Sequence, residues 1–305
     1  MTDYAPPVDQ LLTYGKLTGT YRFESWPDYV HEFGFTTDHV PELIRLMTDK
    51  TYWEGDPEQV NIWAPCHAWR VLAQLQAVEV VAPLLDMFED YEDDDYLNEQ
   101  STEVLAAIGP EVLPIVEPYL QREDFSQWGK NSIVLGINKI AEHYPEHQQA
   151  CIDILCRQLE DFQNNEASTN GWLVEGLVKL KVMDAAPLIE RVYKEGDIDD
   201  MCAGTWPKVQ VRLGLKQRSD FTKDEMLPAM ARNLRSIDRM ISQRQHSTFD
   251  LGVPPNRKAL TPETPSKFGE GFLKAPKSTT QQSTQGFGQS TGPQKGSKKK
   301  KKKKK

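Results

Sequence analysis

The sequence predicts an all-α fold: a short solenoid of repeated helical hairpins with a disordered C-terminal tail. The first observation behind this is a helix-pair unit that recurs between Trp63 and about Glu195. Leu72-Ala73-Gln74-Leu75, Leu105-Ala106-Ala107-Ile108, Ile137-Asn138-Lys139-Ile140 and Leu177-Val178-Lys179-Leu180 each close one amphipathic helix. Their markers Leu75, Ile108, Ile140 and Leu180 lie 33, 32 and 40 residues apart, the period of an α-solenoid. Second, each unit continues into another apolar-faced helix in which Pro83, Pro114 and Pro187 fall near the same place. Third, from His246 onward Pro, Gly, Ser, Thr and Gln dominate and no period survives. Such a stretch buries too little surface to offset its ordering entropy.

Read in order, residues 1–50 form an aromatic-rich cap. A short helix over Val8–Tyr14 precedes Tyr21, Phe23, Trp26, Tyr29, Phe33 and Phe35, rings suited to covering the open end of a repeat core. A helix follows at Val40–Asp49, with Pro41 tolerated in its first turn. Residues 51–216 hold the repeats. The first helices (A) are expected at Ala64–Leu75, Glu99–Ile108, Gly129–Glu142 and Thr169–Leu180. The second helices (B) are expected at Val78–Glu89, Glu111–Gln121, Gln148–Glu160 and Ala185–Lys194. Residues 217–245 are expected to form a C-terminal helix opened by the capping box Thr222-Lys223-Asp224-Glu225. Its stripe Met226, Leu227, Met230, Leu234, Ile237 and Ile241 is expected to dock on the body. Residues 246–305 make the tail, which ends in eight lysines.

Charge is distributed unevenly. Residues 1–206 carry 13 Lys and Arg against 38 Asp and Glu, a net −25, whereas residues 295–305 carry nine lysines and no acid. Opposite signs within one chain point to a tail that folds back on the body or to two classes of partner. The mean hydropathy of −0.59 and the lack of a long apolar run exclude a membrane span. The four scattered cysteines, without C-x-x-C spacing, argue for reduced thiols in a cytoplasmic protein. The first residues have neither a basic start nor an apolar stretch, so no secretory signal is expected.

Several landmarks together resemble a known family. They are Leu11-Leu12-Thr13-Tyr14-Gly15, Trp26-Pro27-Asp28-Tyr29, Asp38-His39-Val40-Pro41-Glu42-Leu43-Ile44, Trp63-Ala64-Pro65-Cys66-His67-Ala68-Trp69-Arg70, Asp93-Asp94-Asp95 and Trp206-Pro207-Lys208-Val209-Gln210-Val211-Arg212-Leu213-Gly214-Leu215. Spanning roughly residues 11–216, this order is similar to uncharacterised bacterial HEAT-like repeat proteins of the phycobilin-lyase repeat type. The resemblance implies an α-solenoid and no established activity. Some relatives carry a C-terminal SEC-C metal motif. This chain lacks that cysteine cluster, so zinc is not implied.

Chemistry-bearing residues are few. The acidic run around Asp93, Asp94 and Asp95 lacks EF-hand spacing and reads as a solvated, helix-capping loop or a dock for a basic segment. Cys66 and His67 are adjacent, hence about 100° apart on a helix, and read as a core cysteine beside a hydrogen-bonded histidine rather than a nucleophile and its base. His143 and His147 have metal-pair spacing broken by Pro145. No Walker, G-x-S-x-G or G-x-G-x-x-G motif occurs, so neither an enzyme nor a cofactor is expected.

The expected function is a non-enzymatic protein–protein scaffold or adaptor. Its candidate contact residues are Trp63, His67, Trp69, Asp93, Asp94 and Asp95, together with the tail lysines Lys298, Lys299, Lys300, Lys301, Lys302, Lys303, Lys304 and Lys305. The lysines suit a non-specific tether to nucleic acid or an anionic surface, a latch onto the acidic body, or an idle tail. Alternatives are a lyase- or chaperone-like factor acting on a protein client, and a nucleic-acid-associated factor.

Overall fold

Three of the four hairpins of the repeat are closed by a recurring backbone device, the exception being the one that turns at Tyr144 (φ −125°). In a computed structural model, Gln76 (φ 53°), Gly109 (φ 100°) and Lys181 (φ 59°) stand at equivalent places one residue past the markers Leu75, Ile108 and Leu180. A left-handed residue there ends an α-helix by returning amides to its last carbonyls. Gln76 and Lys181 donate to Ala73 O and Val178 O, and Gly109 donates to Leu105 O. A single 3-10 turn then launches the next helix.

The structure describes residues 4–17 and 22–237, which belong to one contact-defined unit and contain no strand. The N-terminal elements are α1 (Tyr29–Phe33), α2 (Val40–Met47) and α3 (Lys50–Trp53). The A helices are α4 (Ala64–Gln74), α7 (Asp95–Ile108), α9 (Gln127–His143) and α11 (Ala167–Lys179). The B helices are α5 (Val81–Asp86) with its continuation α6 (Phe88–Tyr91), then α8 (Leu113–Gln121), α10 (Gln148–Glu160) and α12 (Ala186–Glu195). Helix α13 (Trp206–Leu213) follows.

Contacts run from neighbour to neighbour in two layers. One is α4–α7–α9–α11–α13 and the other is α5–α8–α10–α12. This is the all-α solenoid that the period predicts. Small residues set the closest approaches. A Cβ on Gly136 of α9 would lie 3.1 Å from Leu105 of α7, and one on Gly176 of α11 would lie 2.0 Å from Asn138 Oδ1 of α9.

Four details differ from the sequence reading. Helix α7 begins four residues earlier than expected, because Asp94 caps it by accepting from Leu97 N at 2.8 Å. The first B helix is interrupted at Met87, where Phe88 turns into the core. The Thr222–Glu225 capping box forms, with Glu225 N donating to Thr222 Oγ1 at 3.2 Å and Thr222 N donating to Glu225 Oε2 at 2.7 Å. It closes only turns, however. Helix resumes at 229, after Pro228, with Ala229 N donating to Asp200 Oδ2 at 2.7 Å. The stripe expected to dock instead leaves Met230, Leu234 and Ile237 exposed. The tail and its predicted disorder lie outside the described residues.

Candidate functional site

The A helices present polar and aromatic side chains on one continuous face, tied rung to rung. Arg70 Nε and Nη2 of α4 donate to Gln100 Oε1 of α7 at 3.0 and 2.8 Å. Lys139 of α9 pairs with Glu103 of α7 at 2.9 Å, and Lys179 of α11 pairs with Glu142 of α9. Arg212 of α13 grips Glu175 of α11 through both carboxylate oxygens. These ladders fix the rotamers of long side chains that would otherwise move freely over the surface.

The chain's own N-terminal region occupies the first part of this face. His67 donates from Nε2 to Gly15 O at 2.8 Å, and Lys16 Nζ lies 5.5 Å above the Trp63 ring. Farther on, Phe23 N donates to Glu103 Oε2 at 3.1 Å, and the Phe23 ring meets His143 of α9 edge-on at 5.0 Å. The segment then returns. Trp26 lies under the Arg70 guanidinium at 4.9 Å, and Gln74 reads two main-chain groups at once. It donates to Pro27 O at 2.7 Å and accepts from Tyr29 N at 3.0 Å. Side chains of α4 and α7 thus recognise the backbone of the segment that leads through the 3-10 turn Phe23–Ser25 into α1, with rings seated between them.

Beyond this segment the face is open. Two depressions of about 440 and 370 Å³ share Thr102, Leu135 and Trp172 and run along α7, α9 and α11. Asn98 and Glu99 of α7 form one wall, Trp128 and Asn131 of α9 the floor, and Trp172 of α11 the far side. The floor is rigid. Asn131 donates to Ser168 Oγ at 3.0 Å and accepts from Thr169 Oγ1 at 2.8 Å, which pins α9 to α11. Trp128 is 46% exposed, unusual for so large a ring on a helix packed on both sides.

No family model, no curated protein and no solved structure matches this chain. Functional reasoning therefore rests on the geometry.

The residues expected from sequence are placed differently from one another. Trp63 lies at the edge of the A face, half-buried, T-shaped against Tyr96 at 5.1 Å and covered by Lys16. His67 and Trp69 require correction as contact residues. They are 1% and 0% exposed, because α4 is covered by α2 on one side and by Gly15 and residues 26–29 on another. Asp94 is a helix cap, while Asp93 and Asp95 face solvent. The rest of the acidic run is tied to its surroundings through Lys50–Asp90 at 2.7 Å, Arg122–Glu89 at 3.3 Å and Ser126–Glu92 at 2.9 Å. Among the described residues no group of three or more metal-ligating side chains converges. Lys298 to Lys305 lie outside the described residues.

Burial pushes all four thiols upward, Cys151 to about 11 and Cys202 to about 12, so none is a thiolate at neutral pH. Burial also lowers His67 to about 4, with the Arg70 charge acting in the same direction, and raises Tyr29 to about 12. His67 is therefore neutral. Its Nε2 carries the proton for Gly15 O, and Nδ1 accepts from the Tyr29 hydroxyl at 2.8 Å.

Sequence reasoning missed Trp128, Trp172, Leu135 and Glu99. One signal was available: Trp128 lies two periods, 33 and 32 residues, beyond Trp63 and so occupies the equivalent place.

Proposed function

We propose that the chain is a non-enzymatic interaction module whose A-helix face holds an extended segment of a partner protein in the groove along α7, α9 and α11. One observation carries this reading. The same face already holds a segment of the chain's own backbone, residues 22–29 with a 3-10 turn at Phe23–Ser25, by reading its main-chain groups with Gln74 and Glu103 and seating its rings against Arg70 and His143. The open groove continues that surface with further rings and a rigid floor. Backbone recognition with pockets for alternate side chains is a recurrent way of binding peptides. The resemblance to HEAT-like repeat proteins agrees with a scaffold that presents surface rather than an enclosed catalytic centre.

The test is selection of binders from a random dodecapeptide library on the immobilised full chain, repeated with Leu135→Arg. Leu135 lies half-buried in the groove, so an arginine there obstructs the channel while its head reaches solvent. Selected peptides are expected to lose binding at least tenfold to the variant while its unfolding temperature stays within a few degrees. Peptides that bind both proteins equally would refute the reading.

A further inference from the structure

The seven tryptophans divide in a way that identifies what the open groove takes. Trp26 has Phe23 and Arg70, Trp53 has Trp69 and Tyr91, Trp63 has Tyr96 and Lys16, and Trp206 has Tyr193. Only Trp128 and Trp172 have neither a ring nor a cation partner among the described residues, and these are the two that line the groove. Beside them Glu99 is exposed and makes no ion pair or side-chain hydrogen bond among the described residues. Of the other acids of the groove, Glu103, Glu142 and Glu175 are each paired with a lysine or arginine of the next helix, and Glu24 lies 3.3 Å from His143 Nε2.

The repeat itself shows what completes such a place. Trp63 precedes α4 as Trp128 begins α9, and the occupant of Trp63 is the ammonium of Lys16, carried on an extended segment that also gives its Gly15 carbonyl to His67. A cation over an indole face gains from the ring's quadrupole, and gains more where a carboxylate stands beside it and water is partly excluded. Trp128 with Glu99 offers both. The net −25 of residues 1–206 supplies a long-range field of the same preference.

We infer that the groove's occupant is an extended segment of a second protein that lays a lysine or arginine side chain on Trp128 against Glu99 and an apolar side chain on Leu135 and Trp172. This rests on the peptide-groove reading above and specifies its ligand. The lysine run of residues 295–305 lacks the apolar neighbour that Leu135 and Trp172 require, so that run is not the occupant.

The test uses the full chain with the best peptide from the library, assayed by titration calorimetry at low and high salt. The selected sequences are expected to pair a basic residue with a bulky apolar one. Replacing that basic residue by norleucine, which keeps the stem and removes the charge, is expected to weaken binding about fivefold or more. Trp128→Leu and Glu99→Lys are expected to do the same, and the norleucine peptide should no longer distinguish Glu99→Lys from the parent. An octalysine peptide is expected not to compete at 150 mM salt. If it competes as well as the selected peptide, the occupant is a plain lysine run and the assignment to a partner is overturned. If the norleucine peptide binds undiminished while Leu135→Arg still abolishes binding, the cation assignment is wrong and the groove reading survives. If Leu135→Arg has no effect, both fall.

Discussion

His67 makes the body sensitive to mild acid. The ring is 1% exposed, and its two nitrogens are committed, one donating to Gly15 O and the other accepting from Tyr29 Oη. Protonation would place an unbalanced charge in the core, next to Arg70, and would turn the accepting nitrogen into a second donor. Burial accordingly lowers its folded value to about 4 from 6.5. A histidine whose folded pKa is depressed stabilises the fold fully above 6.5, and that contribution is lost as pH falls from 6.5 towards 4. Between pH 7 and pH 5 the two values give a loss of about 2 kcal/mol from this residue, or roughly 4–8 °C in Tm for a body of this size. The assay is urea unfolding of the parent and His67→Gln at both pH values, followed by tryptophan fluorescence. A glutamine can donate to Gly15 O and accept from Tyr29 without titrating, so its own loss should be smaller by that amount. Equal pH slopes in the two proteins would refute the reasoning. Asp49 does not confuse the window. Burial opposes its ionisation, but hydrogen bonds from Tyr4 and Thr51 prevail and hold its carboxyl below the ordinary range, so it titrates at lower pH.

Two further predictions concern contacts between A helices. Arg70 is 1% exposed, and its hydrogen bonds run to Gln100 Oε1, whose own Nε2 is buried without an acceptor. Gln100→Ala is expected to destabilise by about 3 kcal/mol in chemical denaturation, whereas Gln100→Glu, which replaces the idle donor by a second acceptor, is expected to be neutral or stabilising. A glutamate as damaging as the alanine would sink this account. Gly176→Ala drives a methyl to 2.0 Å from Asn138 Oδ1 and is expected to cost about 1 kcal/mol net of its better helix propensity. In an Asn138→Ala background the same change should stabilise, and a double-mutant cycle reads the change of sign.

How much of this was legible in the sequence depended on whether the signal was local. The hairpin period, its left-handed closures at Gln76, Gly109 and Lys181, and the proline-started B helices are all set within a few residues, so they could be read or nearly read. The start of α7 was misplaced although Asp94, its cap, was in view. Helix α4 misled in another way. Its residues Ala64–Ala73 are all buried, so it has no solvent face to distinguish contact residues from core, and His67 and Trp69 were taken for surface. His67 is buried against Gly15 and Tyr29, over contacts 52 and 38 residues long in sequence, and Trp69 packs against Trp53 of α3. No pattern within α4 announces such a cover.

The same long-range cover explains why the groove was invisible and why it is open. The A face is uniform in kind along α4, α7 and α9, with rings at Trp63, Tyr96 and Trp128 and amides or charges between them. Its two halves differ in what lies on top. The N-terminal segment goes out as far as Phe23, where it contacts Glu103 of α7 and His143 at the far end of α9, and then returns to Gln74 of α4. Arg22 and Glu24 reach the edge of the depression lined by Leu135 and Trp172, and Trp128 is left beyond the segment. An indole covers on the order of 150–250 Å² when buried, so Trp128, 46% exposed, holds back about 2–3 kcal/mol of apolar burial that folding could have used, and the partly buried Trp172 adds less. The chain shows on its own first repeat that this surface can be covered by a segment of backbone and rings, and it leaves the second half uncovered. That contrast between a filled site and an empty one, on the same repeat, is the physical ground for assigning the open half to a partner.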